Sequence, residues 1–188
     1  MIIWLASYPK SGNTWIRIFL NSMLFSENKI DVNINSNSID QFPLRSHFED
    51  LTDNTNDINE FAKNCINAQD KINLDNKIKI FKTHNAYWKQ NTTNFSFTNK
   101  ENTLGTIYIV RDPRNVILSV SNHNSQSDEK STEDLIKGSV IFDKDKEDIK
   151  VYSGTWGGNF NSWKSFLSVN KYLLIKYEDL IKNKDKTF

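Results

Sequence analysis

Lys10, His84 and Arg111 each stand just past a short apolar run, and their side chains suit the transfer of a charged group to an oxygen. Lys10 and Arg111 are cations able to hold phosphate oxygens, and His84 is an imidazole able to take a proton near neutral pH. The densest of these sites is Ser7-Tyr8-Pro9-Lys10-Ser11-Gly12-Asn13-Thr14-Trp15. Before it lies Met1-Ile2-Ile3-Trp4-Leu5, an apolar run too short for a helix and suited to a buried strand. After it, Ile16, Phe19, Leu20, Met23 and Leu24 recur at helical spacing, so a helix is expected to begin near Asn13. Strand, tight loop and helix together present backbone N–H groups and a positive helix end to an anion. Residues 7–15 are therefore expected to grip a phosphate or sulfate, although an ordinary strand-to-helix turn shares the layout.

Against the nucleotide-binding pattern G-x-x-x-x-G-K-[ST], Gly12 and Thr14 fall in place, Ser7 takes the first glycine position and Asn13 replaces the lysine. A lysine stands instead inside the loop, at Lys10. In a triphosphatase the pattern's lysine reaches the β and γ phosphates and the hydroxyl residue holds magnesium. Moving the cation changes which oxygen it touches, so the loop is phosphate-binding in kind but unlike that of an ordinary ATPase.

The stretch from Tyr8 to Trp15 resembles the phosphosulfate-binding loop of the sulfotransferase family, which uses 3′-phosphoadenosine 5′-phosphosulfate as donor. Three further elements follow in the family's order: Lys82-Thr83-His84, the nine residues Arg111-Asp112-Pro113-Arg114-Asn115-Val116-Ile117-Leu118-Ser119, and Lys176-Tyr177-Glu178-Asp179-Leu180. The resemblance implies His84 as catalytic base, Lys10 beside the bridging oxygen of the departing phosphate, and Lys82 near the transferring sulfonate. It also implies a donor site made by Lys10, Ser11, Gly12, Asn13, Thr14 and Trp15, with Arg111 and Ser119 on the 3′-phosphate and Tyr177 near the adenine that Trp15 packs against. The paired Trp156 and Trp163 match the family's helix before the last strand and are read as packing. His47 and His123 lack such context and are expected in structural or surface roles, and Arg114 as a solvated charge at a helix start. The sulfuryl group carries less charge than a γ-phosphoryl, so no metal is expected, although acidic strand-end residues such as Asp112 do not exclude one. Two alternatives stand beside a sulfotransferase: a P-loop kinase-like phosphotransferase, and a degenerate nucleotide-binding module without activity.

The elements that must position these residues can be read in order. After the first helix, residues 26–57 are rich in Asn, Asp and Ser and read as irregular, with a short helix near His47 to Leu51. A helix is expected from Asp57 to about Lys71, then a strand over Ile78–Thr83, while residues 89–103 give no clear structure. Thr106–Val110 is a β-branched and aromatic run suited to a central strand, followed by a helix entered at Pro113. A polar loop over Asn124–Ser131, a helix over Glu133–Phe142, a solvated charge run over 143–150 and a helix from Thr155 to about Val169 lead to the last strand, Tyr172–Lys176. Strands alternating with helices, none joined by a hairpin signal, predict a three-layer α/β sandwich with a central parallel sheet and helices on both faces, P-loop NTPase-like. In such a sheet, ligands bind at the carboxyl ends of the strands, and Lys10, His84, Arg111 and Tyr177 follow four successive strands.

A length of 188 residues suits one domain with a sizeable core, here taken as residues 1–188. With 24 basic and 23 acidic residues the chain has no bias towards nucleic acid or an anionic membrane, so local placement must build any anion site. One cysteine, Cys65, excludes an internal disulfide and a cysteine-rich zinc site, and its helical surroundings suggest a buried apolar role. No secretory signal or run of ~20 apolar residues occurs, and a cytoplasmic enzyme is the simplest expectation. The family usually continues past the Tyr-Glu-Asp-Leu segment into a basic R-K-G loop that clamps the 3′-phosphate, which residues 1–188 lack, so weak donor binding is expected. The polar segments 26–57, 85–104 and 124–154 are expected to shape the site of a carbohydrate or other hydroxylated small-molecule acceptor.

Overall fold

A computed structural model describes residues 1–25, 39–55, 57–89, 95–141, 149–169 and 171–182. The apolar runs form a four-stranded parallel sheet of β1 (Ile2–Ser7), β2 (Lys79–Thr83), β3 (Thr103–Val110) and β6 (Tyr172–Lys176), in the order β2-β1-β3-β6. The strand that precedes the loop lies inside the sheet, which is why its sequence is apolar on both faces. Along β1, Ile2, Trp4 and Ala6 enter one core cluster with Phe61, Cys65, Phe81, Tyr108 and Trp163. Leu5 points to the other face, where it meets Ile16, Ile109 and Leu180. This alternation puts α2 (Ile58–Ile72) and α5 (Trp156–Trp163) on one side of the sheet, with α1 (Asn13–Phe25) and α6 (Tyr177–Lys182) on the other. The three-layer sandwich with a central parallel sheet is the observed architecture.

Register fixes where the strands stop. Ala6 pairs with Thr83 and Ser7 with Ile109, while Val110 pairs with Lys176. The four carboxyl ends are therefore level, and the segments that follow them emerge at one edge. The chain leaves β1 for β2 on one side and returns to β3 on the other, a reversal that opens a crevice at that edge.

Helix starts follow their caps. Asp57 accepts from the N–H groups of Asn59 and Glu60 at the head of α2. Asp112 caps α3 (Pro113–Asn124), whose first residue is the proline. The next helix is displaced from its expected position over Glu133–Phe142. α4 covers Asp128–Lys137, because Ser127 caps it through Lys130 N–H and Gly138, at φ 91°, ends it. Most of the expected loop over Asn124–Ser131 is thus helix.

A second correction concerns hairpins. β4 (Ser139–Ile141) and β5 (Val151–Gly154) pair antiparallel outside the main sheet. Most of the charge run over 143–150 lies outside the described residues, and its Ile149 is buried in the core. The helix expected from Thr155 to Val169 is divided, with Thr155 as cap of α5 and a 3₁₀ segment over Lys164–Val169. The short helix expected near His47–Leu51 is a 3₁₀ turn placed earlier, at Arg45–His47. The irregular reading of 26–57 falls partly outside the described residues, as does that of 89–103, where Lys89 bridges Ser96 and β3 already begins at Thr103.

Candidate active site

The loop between β1 and α1 turns through two left-handed residues, Lys10 at φ 63° and Gly12 at φ 94°. Lysine in that conformation is strained, so surrounding contacts must hold it. One is identifiable: the Lys10 carbonyl accepts a hydrogen bond of 3.0 Å from Arg111 Nη1. At Gly12 a Cβ would meet the Tyr177 ring at 2.4 and 2.6 Å, so glycine is required both for its φ and for the aromatic packed on it. The residue standing where a triphosphatase has lysine acts as a strut. Asn13 is buried and its Nδ2 donates to Leu5 O and Ser7 Oγ, both at 3.1 Å, tying the helix start back to β1.

These constraints leave donors pointing into the loop. Trp15 and Ile16 N–H return to Gly12 O, while the N–H groups of Ser11, Gly12, Asn13 and Thr14 have no backbone acceptor among the described residues. Ser11 Oγ is buried with no partner, and so is Arg111 Nε. Buried, unpartnered donors cost about 1–3 kcal/mol each unless something accepts from them. These two, beside a helix start whose first N–H groups lack backbone acceptors, fit an anion.

Tyr177 gathers the aromatic side of the site. Arg111 lies over its ring at 4.5 Å, and Trp15 meets it edge-on at 6.0 Å. Asp112 is held through its N–H, which donates to Glu178 Oε1, and its carboxylate is spent on the α3 cap and on Arg114. Arg114 is exposed, and Ser119 is half-buried two turns into α3. Among the described residues no group of His, Cys, Asp and Glu is arranged to hold a metal ion.

His84 follows β2 on the opposite side of the loop. Its Nδ1 lies 2.9 Å from Ser7 O and 3.2 Å from Ser7 Oγ. A carbonyl only accepts, so Nδ1 carries the proton and Nε2 keeps its lone pair. Burial draws the imidazole pKa down from its ordinary 6.5 to about 3, helped by Lys82 and, less, by Arg17 and Lys10, against the opposing bond to Ser7 O. The ring is thus neutral at physiological pH, in a residue that is half-buried. Lys82 Nζ donates to Gln41 Oε1 at 2.7 Å.

A frame from the far side of the sheet holds the backbone after His84. Asn159 Nδ2 donates to His84 O and Ser153 O, and Tyr108 OH donates to Asn159 Oδ1. Trp163 Nε1 donates to Asn85 O, and Asn85 Oδ1 accepts from Tyr152 N–H. Trp163 therefore does more than pack, whereas Trp156 packs beside Tyr8, Val116 and Leu135. His47 stacks on Phe42 and accepts from Leu44 N–H, a structural role, and His123 is exposed. Asn159 carries no motif in the sequence, and for Ser7, at the head of the loop, only the contact with His84 reveals its part.

A family model described as the sulfotransferase domain matches residues 2–187. The chain belongs to the sulfotransferase family. Among solved structures it resembles mouse sulfotransferase SULT7A1 complexed with PAP, at 22% identity and a TM-score of 0.55 over 98% of this chain and 54% of that one. It also resembles retinol dehydratase in complex with androsterone and the inactive cofactor PAP, at 15% identity and a TM-score of 0.50 over 97% of this chain and 56% of that one. The chain therefore spans a little over half the length of these solved relatives. No curated protein matches it. Among the described residues no helix is long and apolar enough to cross a membrane.

Proposed function

We propose that this sulfotransferase-family chain moves a sulfuryl group from 3′-phosphoadenosine 5′-phosphosulfate to an acceptor hydroxyl or amine by in-line displacement, with His84 as base. The observation that carries this is the imidazole itself. Nδ1–H is committed to Ser7 O, so a neutral Nε2 with a free lone pair stands beside an anion loop bearing Lys10.

The residues present fit the donor. Ser11 Oγ and Arg111 Nε are unpartnered, and the loop N–H groups have no backbone acceptor among the described residues, so all can donate to phosphate oxygens. The donor, when bound, supplies the activated sulfur. Ser11, Gly12, Asn13 and Thr14 cradle the 5′-phosphate, Arg111 and Ser119 hold the 3′-phosphate, and Trp15 and Tyr177 flank the adenine. The acceptor oxygen forms a bond to sulfur as the bond from sulfur to the bridging phosphate oxygen breaks. His84 Nε2 takes the acceptor's proton, and the electron pair of the broken bond stays on the phosphate of adenosine 3′,5′-bisphosphate. Lys10 neutralises the charge growing on that oxygen, and Lys82 stabilises the sulfonate in flight.

A kinase-like reaction asks for a cation at position 13, and Asn13 offers a neutral amide whose Nδ2 already donates to Leu5 O and Ser7 Oγ. The test of the base is His84→Ala in a labelled-donor assay. Transfer is expected to fall by ~10²–10⁴-fold, the range for a positioned general base, with the fold intact by circular dichroism. Undiminished transfer would remove His84 from the mechanism.

A further inference from the structure

The guanidinium of Arg111 already holds protein before any donor arrives. Its Nη1 donates to the Lys10 carbonyl at 3.0 Å. What it holds is the strained residue of the loop. Among the described residues, Asn76 and Ser125 also take a left-handed φ without being glycine, but each does so where a helix ends, an ordinary place for it. Lys10, at φ 63°, closes no helix, so its conformation needs an outside contact. The same contact aims a donor. The carbonyl and N–H of one trans peptide point in opposite directions, and the Lys10–Ser11 peptide is trans. With the Lys10 carbonyl turned to Arg111, the Ser11 N–H faces away from it, and no backbone acceptor among the described residues takes it up. Arg111 is fixed in its turn. It lies over the Tyr177 ring at 4.5 Å, that ring packs where a Cβ at Gly12 would be, and the Asp112 N–H donates to Glu178 Oε1 at 2.9 Å. The ends of β1, β3 and β6 are thus clamped together through one side chain.

We propose that Arg111 is a positioning residue for Lys10 and Ser11, setting the loop for turnover through the Lys10 carbonyl, independently of any hold on the donor's 3′-phosphate. The inference rests on the sulfotransfer reading for the task of the Lys10 ammonium. Two consequences separate the roles. An arginine that only holds the 3′-phosphate matters only for donors that carry one. An arginine that sets Lys10 matters for every donor whose leaving phosphate Lys10 must meet, because a small misplacement of a stabilising charge slows the reaction itself.

Adenosine 5′-phosphosulfate carries the same reacting group without the 3′-phosphate and serves as the probe donor. Arg111→Met keeps an unbranched side chain to pack on Tyr177 and removes every hydrogen-bond donor, and Arg111→Ala removes both. Each is expected to lower sulfuryl transfer from adenosine 5′-phosphosulfate by ~10-fold or more, the scale of one charge-assisted hydrogen bond. Where the parent uses only the 3′-phosphorylated donor, kcat at saturating donor is the reading, and it should fall by the same ~10-fold or more while KM rises separately. The second readout needs no turnover. The Lys10 Cα and Cβ chemical shifts report the sign of φ in the donor-free protein, and in Arg111→Met they should move towards values for negative φ. Shifts that move in a protein that transfers from neither donor would support the positioning role and count against the sulfotransfer reading. Unmoved shifts, transfer from adenosine 5′-phosphosulfate unchanged by Arg111→Met, or a raised KM with kcat unchanged would each overturn the proposal.

Discussion

Lys10 holds two properties in tension. Its φ of 63° is a conformation that lysine adopts at a cost of about 1–2 kcal/mol, which glycine avoids. The side chain justifies that cost only if its ammonium is needed where the loop presents it. The Lys10→Gly variant isolates the two effects. It should unfold at equal or higher urea concentration than the parent, while transfer falls by ~10²–10³-fold, the usual loss on deleting one stabilising group at a developing charge. Lost stability together with unchanged transfer would make Lys10 a structural residue. Tyr177 shows the same logic with the opposite sign: its ring lies where a Cβ at position 12 would be, so glycine and aromatic require each other.

Among the elements, α5 determines how firmly His84 is placed. Asn159 is fully buried and joins three segments through His84 O, Ser153 O and Tyr108 OH. Asn159→Ala leaves those groups unpartnered and should cost about 2–4 kcal/mol in urea unfolding, since several buried hydrogen bonds are lost together. A loss under 0.5 kcal/mol, the scale of a surface change, would contradict the frame. Sequence pattern made part of this visible. β1, β3 and β6 are short apolar runs and β2 an alternating one, their separation by helices marks a parallel sheet, and the sheet brings the residues after its strands, Lys10, His84, Arg111 and Tyr177, to one edge. α4 was harder to read because its start depends on the Ser127 cap within a polar stretch, and the β4–β5 pair because β4 is three residues long. Asn159 carries no local signal, since its significance lies in what it touches across the fold.

For the molecule as a whole, His84 ties stability to pH. Its folded pKa of about 3 lies below the ordinary 6.5, so below pH 6.5 the unfolded chain binds the proton that the folded chain refuses. Stability carried by this group is complete above pH 6.5 and declines as pH falls towards 3. His47, also lowered by burial and only partly offset by Asp40, acts in the same direction. Urea midpoints should therefore decline from pH 7 to pH 4, and His84→Ala should flatten that slope. An unchanged slope in the variant would mean that His84 is protonated in the folded state.

The group that leaves the donor distinguishes sulfuryl from phosphoryl transfer. Asn13 stands where a γ-phosphate would need a cation, while the proposed phosphate cradle draws on Lys10, Ser11 and Arg111. The most direct test offers the chain radiosulfur-labelled 3′-phosphoadenosine 5′-phosphosulfate and, in parallel, γ-labelled ATP with magnesium, each with a hydroxylated acceptor. Label should pass to the acceptor from the phosphosulfate and not from ATP. Transfer of the γ-phosphoryl with none of the sulfuryl would contradict the account.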